Sequence, residues 1–296
     1  MLQQIASAVH AYIQPHGGWC VSNAGVLVGK ESVTLIDCTA TEHSAGRLRQ
    51  EIRTLTAAPV SRIVLTHHHG DHHHGASVFR APLVIAHEHT RTQMLDEGIN
   101  LPGIWPDTDW GDIHLNPPNL TFTDQICLDI DGLAVELIHY GPAHTTGDIV
   151  VWIPQYRILF AGDLTFSDST PFVFMGSLAG TLTALDQLRE LDPETVVSGH
   201  GPITGPEVID DNADYLHWVN HLASNGITAG WTPLETATRS DLRPYAHLSE
   251  PERLVANLHR AYAEHHNQPT AKPLPIPPAL ADMTAYNGGS PLPCAA

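Results

Sequence analysis

A chain of 296 residues is long enough to bury a sizeable core, as one large domain or two small ones. Its composition, 42% hydrophobic and 16% charged with 23 Gly and 23 Pro, suits a globular α/β chain rich in turns and excludes the disordered and fibrous classes. Against 14 Lys and Arg stand 32 Asp and Glu, a net charge of −18 with the basic residues scattered, which argues against nucleic acid as a partner.

No apolar run approaches the roughly 18 residues that a membrane span needs. The start, Met1-Leu-Gln-Gln-Ile-Ala6, lacks a cationic segment followed by an apolar stretch, so the expected compartment is the cytoplasm and no membrane is expected as partner. The cysteines Cys20, Cys38, Cys127 and Cys294 lie far apart without a CxxC, which suggests neither a zinc ribbon nor a disulfide framework.

Short apolar, β-branched runs predict strands at 25–28, 33–36, 63–65, 83–86, 126–130, 133–138, 149–153, 158–161 and 195–197. Helical spacing appears near 43–55, at 88–97, and at 177–191, where Leu178, Leu182, Leu185 and Leu188 share a face. From Pro206 the pattern turns helical, over 206–224 and again over 251–265. The expected organisation is a catalytic core at 1–205, a helical extension packed on it at 206–267, and a Pro-rich tail at 268–296 that is extended or mobile.

Two long loops carry large apolar side chains. One, 98–118, holds Trp105 and Trp110; the other, 167–177, holds Phe172, Phe174 and Met175. Such loops either cover a substrate pocket or are anchored by those aromatics to their own core.

Directly after the strand at 63–65 comes His67-x-His69-x-Asp71-His72, four potential metal donors in six residues. Alternation aims His67, His69 and Asp71 one way, and a turn at Gly70 lets Asp71 and His72 face a second point nearby. A chain with 21 histidines could produce one such tract by composition, and His68, His73 and His74 thicken it. Three further donors, His144, Asp163 and His200, each at a strand margin beside glycine, argue for a built site instead. Strand ends gathered at one sheet edge are where α/β folds place their sites. Seven donors without clustered thiolates fit two zinc ions with open positions for water. The extra histidines His68, His73 and His74 read as neighbours on the loop, and His87 and His89 as surface residues.

This set of motifs, in order from Asp37 to His200, resembles the metallo-β-lactamase superfamily over roughly residues 10–205. The resemblance implies an αββα sandwich. It further implies that His67, His69 and His144 hold a first metal, that Asp71, His72 and His200 hold a second, that Asp163 bridges them, and that Asp37 orients a ligand. The cofactors expected are two zinc ions, with iron or manganese as substitutes.

A water between two zinc ions loses a proton near neutral pH and supplies the hydroxide nucleophile for an acyl carbonyl. Asp71 would orient that hydroxide and shuttle its proton, a catalytic role. The acid at position 163, where many zinc β-lactamases have cysteine, argues against β-lactam hydrolysis, and the extension shows no basic residues obviously suited to glutathione. The stretches 143–148, 170–177 and 257–262 resemble actinobacterial members of the superfamily that act as thioesterase/cyclases in aromatic polyketide, hence antibiotic, biosynthesis. The expected activity is therefore zinc-dependent hydrolysis of an ester or thioester of a small acyl substrate, free or carried on an acyl carrier protein. Docking such an acidic carrier would require a local basic patch. The alternatives are a lactonase, a glyoxalase II-like thioester hydrolase, and a mononuclear iron sulfur dioxygenase.

Overall fold

The computed structural model describes residues 1–14 and 18–296. Twelve strands among them form two sheets. The first runs in spatial order β1 (Leu2–Ala6), β2 (Val9–Tyr12), β3 (Ala24–Val28), β4 (Val33–Ile36), β5 (Val60–Val64), β6 (Leu83–His87) and β7 (Leu120–Phe122). The second holds β8 (Gln125–Ile130), β9 (Leu133–His139), β10 (Ile149–Ile153), β11 (Ile158–Phe166) and β12 (Thr195–His200), also in chain order across the sheet. The pairs β4–β5, β5–β6, β6–β7 and β11–β12 are parallel; the others are antiparallel.

The period of two along each strand sorts side chains into three apolar layers. Leu27, Ile36, Val64 and Ile85 of the first sheet meet Val151, Ile153, Phe160 and Val197 of the second between the sheets. Their neighbours Val26, Leu35, Ile63 and Val84 face outward to the helices α1 (Glu42–Leu55), α3 (Ala76–Phe79) and α4 (Glu88–Glu97), chiefly against Leu48, Ile52, Ala76 and Met94, while the one-turn helices α2 (Gly70–His73) and α5 (Leu101–Ile104) stand outside this cluster. On the far side Val150, Trp152, Leu159 and Val196 face α6 (Leu178–Glu190), α7 (Glu207–Ala229), α8 (Pro233–Arg239), α9 (Arg253–His265) and α10 (Ile276–Tyr286). Helices therefore cover both outer faces, which makes the fold an αββα sandwich. Strands buried on both faces read as unbroken apolar runs, which is why most were visible in the sequence.

Two expectations require correction. The tail after 268 is not simply extended: it contains α10, whose Ala279 and Met283 are buried in the same apolar cluster as α7 and α9. Its prolines Pro277 and Pro278 fall in the first turn, where backbone N–H groups have no intrahelical partner to lose. His87 is buried rather than at the surface. Its ring stacks on His139 with centroids 3.8 Å apart, and Nε2 lies 2.9 Å from the Thr123 carbonyl oxygen.

Candidate metal centre

The donors converge where the ends of β4, β5, β11 and β12 meet the loop between β9 and β10. Thr66, just past β5, joins the two sheets by accepting at its carbonyl the N–H of Ile149, at 2.9 Å. The chain then turns into α2 at Gly70; a Cβ there would collide with the His74 ring and stand 2.8 Å from Leu101, so only glycine fits. This turn presents His67 and His69 to one donor group and Asp71 and His72 to the group beside it.

Asp163 lies inside β11, where pairing with β12 slips on either side of Gly162. Opposite it, a Cβ on Gly199 would collide with Asp163 Oδ1, so the glycine before His200 makes room for the carboxylate. His144 sits in the β9–β10 loop, which Asp148 shapes by accepting the Thr145 N–H at 2.8 Å and its hydroxyl at 2.7 Å.

Asp163 is the centre of the arrangement. Its Oδ2 lies 3.4 Å from His144 Nε2, 3.4 Å from His200 Nε2 and 3.9 Å from His67 Nε2, while Oδ1 lies 3.2 Å from His72 Nε2. Asp71 Oδ2 stands 3.4 Å from His200 Nε2 and 3.8 Å from His72 Nε2. His69 turns Nδ1 to His144 Nε2 at 2.8 Å. The side chains thus form two donor groups, His67, His69, His144 and Asp163, and Asp71, His72 and His200, each with ligand atoms within 4.8 Å of one another.

These residues fit divalent metal. His67 Nε2, His72 Nε2 and Asp163 Oδ1 are buried without a hydrogen-bond partner, an arrangement too costly to leave unfilled in a folded chain. Four ligands at about 2.0–2.1 Å from one tetrahedral zinc stand about 3.3 Å apart, close to the separations around Asp163. The far ring nitrogens are held: His67 Nδ1 is 3.0 Å from Thr66 Oγ1, His72 Nδ1 is 2.8 Å from Asp37 Oδ2, and His144 Nδ1 meets the Phe172 carbonyl. Asp37 also accepts the Thr66 N–H at 2.8 Å and its hydroxyl at 2.7 Å, so it holds the His72 ring and stands outside the donor groups.

Electrostatics point the same way. Burial pushes the pKa values of His67, His69 and His144 down, keeping their imidazoles neutral with a lone pair to give. Burial alone would raise Asp163, but His200, His72 and His144 around it pull its carboxyl well below the usual range. His72 differs: burial opposes its charge, yet Asp163, Asp71 and Asp37 together raise its pKa, so binding a metal there means displacing a proton.

The centre opens through His69, Asp71, Asp163 and His200 into a mostly apolar cavity of about 900 Å³ including its mouth. Of the loop residues singled out in the sequence, Trp105, Phe172, Phe174 and Met175 line it. Trp110 does not. Its indole N–H donates to the Trp105 carbonyl at 3.0 Å and its ring packs with Cys20 and Ala40, behind the loop. Lining residues that sequence reasoning missed include Trp19, Leu101, Arg253, Met283 and Leu292. The helical spacing of Ile276, Ala279, Leu280 and Met283 was the one signal that could have found a further wall. His68 and His73 stay outside the donor groups; His68 Nε2 lies 3.2 Å from Glu97.

The family model described as the metallo-beta-lactamase superfamily matches residues 17–200. A metallo-beta-lactamase type 2 of Bacteroides fragilis is 24% identical over 71% of this chain and 82% of its own length. A hydroxyacylglutathione hydrolase of Bdellovibrio bacteriovorus is 26% identical over 47% of each chain, so this chain aligns with about half of that enzyme. A metallo-beta-lactamase family protein from Thermus thermophilus superposes with a TM-score of 0.67 at 20% identity, over 89% of this chain and 95% of that one, which shows a shared fold. Fold and donor cluster together imply the use of divalent metal. With more than half of its length matched by the family model, and its buried donors at the sheet edge, the chain belongs to the metallo-beta-lactamase superfamily.

Proposed function

We propose that this superfamily hydrolase is a cytoplasmic di-zinc enzyme that cleaves an ester or thioester of an apolar acyl group, in the manner of a thioesterase/cyclase of aromatic polyketide biosynthesis. The observation that carries the reading is the pair of adjacent donor groups, with Asp163 of the first 3.2 Å from His72 and 3.4 Å from His200 of the second, at the base of a cavity walled by aromatic side chains. His67, His69 and His144 would hold one ion, Asp71, His72 and His200 the other, with Asp163 common to both. When bound, the metal pair supplies an acidified water and an electrophile for the scissile carbonyl.

The chain's own side chains do the rest. Asp71 lines the cavity beside His200, where its carboxylate can orient the attacking water, take its proton and deliver it to the leaving thiol or alcohol. Met175, with its sulfur 3.2 Å from His69 Nε2, and Phe172, whose carbonyl fixes His144, set the apolar wall directly against the donors. A flat acyl group laid on Phe172 would bring its carbonyl to the same point, and a carbonyl so polarised also suits ring closure by an enolate.

The test is metal analysis of purified protein together with hydrolysis of a panel of thioesters, esters and lactones, for the native chain and for Asp163→Asn. The expected result is two zinc ions per native chain, loss of at least one in the variant, and a fall of more than a hundredfold in turnover. A single iron with oxygen-dependent consumption of persulfides would replace this reading with a sulfur dioxygenase; unchanged metal content and rate in Asp163→Asn would remove the bridging role.

A further inference from the structure

We infer that residues 276–292 are the wall that selects the acyl group of this site, and that the group selected is large, apolar and uncharged. The inference rests on the hydrolase reading above and names its substrate class. Ile276, Ala279, Leu280 and Met283 of α10 follow the i, i+3, i+4, i+7 spacing of a single helix face, and all four line the cavity, as does Leu292 beyond the helix.

That wall is fastened to the opposite one. The Trp105 indole N–H donates to the Leu292 carbonyl at 2.9 Å, and the Ala295 N–H donates to the Trp19 carbonyl at 3.0 Å; both tryptophans line the cavity themselves. On its other side α10 is tied to α9 by His259 Nε2 and Asp282 Oδ2, 2.8 Å apart. An acyl group entering the site would therefore lie between Trp19, Trp105 and Phe172 on the core side and Met283, Leu280 and Leu292 on the tail side.

Charge narrows the class further. Among the described residues, the only guanidinium or ammonium lining the cavity is that of Arg253. Its two terminal nitrogens are engaged and the side chain is buried: NH2 lies 3.2 Å from Glu250, NH1 donates to Ser169 Oγ and the Thr170 carbonyl at 3.0 Å each, and the guanidinium packs over the Trp19 and Phe166 rings. Outside the donor groups, Glu97 puts a carboxylate on the same surface. A substrate bearing its own carboxylate, as β-lactams and glutathione thioesters do, would meet no exposed guanidinium or ammonium on these walls and would lose hydration without an ion-pair partner there. A hydrocarbon or aromatic acyl gains burial instead, worth about fourfold in affinity per methylene.

The experiment measures kcat/KM for uncharged N-acetylcysteamine thioesters of acetyl, hexanoyl and 2-naphthoyl groups and for the anionic succinyl thioester. Met283→Lys and Ile276→Lys are compared with the native chain, and metal content is measured for each; Ile276 is exposed enough for the second substitution to leave folding intact. In parallel, binding of uncharged 2-acetylnaphthalene to metal-free protein is followed by tryptophan fluorescence, which requires no turnover. The expected result is hexanoyl and naphthoyl favoured over acetyl by more than tenfold and succinyl disfavoured by more than tenfold. That preference should collapse in both variants at unchanged metal content, and the naphthyl ketone should bind the native chain more than tenfold tighter than either variant. Equal rates for all four thioesters, or naphthyl binding that neither substitution weakens, overturns the selecting wall. Full metal with no turnover of any thioester, but naphthyl binding lost in the variants, would overturn the hydrolase reading and leave the apolar wall standing.

Discussion

Asp37 does its work without belonging to either donor group. It sits at φ 56°, a left-handed conformation that is unfavourable for a residue with a Cβ, and from there one carboxylate gathers the Thr66 N–H, the Thr66 hydroxyl and His72 Nδ1. Removing such a partner typically costs about 10–100-fold in metal affinity. Asp37→Ala is therefore expected to weaken zinc binding by that factor in a chelator competition titration while the fold persists; unchanged affinity would mean that packing alone orients His72. The seven candidate donors could be picked out in the sequence because each is a residue type able to bind metal next to a strand end and often a glycine, whereas Asp37 came from the family resemblance. Trp110 was not legible as an outsider to the cavity. Which side of a loop faces a cavity is decided by partners far along the chain, here Cys20 and Ala40. His87 was misplaced for the same reason, since its partners Thr123 and His139 come from elsewhere in the chain.

Among the elements, α9 governs the apolar loop that carries Phe172, Phe174 and Met175. Three of its buried polar residues form a ladder along that loop. Arg253 donates to the Thr170 carbonyl, Asn257 donates to the Pro171 carbonyl at 2.7 Å and accepts the Val173 N–H at 2.7 Å, and Arg260 donates twice to the Phe174 carbonyl. Irregular backbone can be buried only when its groups are satisfied, and here the helix satisfies them. Asn257→Ala leaves a buried carbonyl and a buried N–H without partners, at about 1–3 kcal/mol each before relaxation. The expected outcome is a loss of about 2–4 kcal/mol in denaturant unfolding at an unchanged m-value. A loss well below that range would show that the loop holds itself. The helix was legible from its apolar stripe of Leu254, Val255 and Leu258, but the ladder was not, because nothing local marks Asn257 as a backbone partner for residues 84 and 86 positions earlier. The tail helix was hidden by its prolines, which signal a break unless their place in the first turn is known.

Over the whole molecule, the strands could be read as apolar runs, but their stacking as two sheets between helices came from resemblance, and their order across each sheet only from the structure. Three edge or short strands, β1, β2 and β7, left no clear trace: Leu2-Gln-Gln-Ile-Ala6 is half polar and β7 has three residues. The proposed centre spans both sheets, so a ligand that binds only the folded chain adds to its stability by mass action, about 4 kcal/mol for each site at a free-metal concentration about a thousand times Kd. Stripping the protein with a chelator is expected to lower its thermal midpoint by several degrees, and zinc to restore it, with a smaller restoration in Asp163→Asn. Identical midpoints with and without zinc would disconnect the cluster from metal.

The position of Asp163 in β11 sets an order of events during synthesis. A nascent chain released through β7 exposes His67, His69, Asp71 and His72 but none of His144, Asp163 and His200. At that stage four of the seven candidate donors exist without the rest. Both donor groups are complete only when β11 and β12 have docked, so the cluster as a whole belongs to the folded molecule and not to the nascent chain.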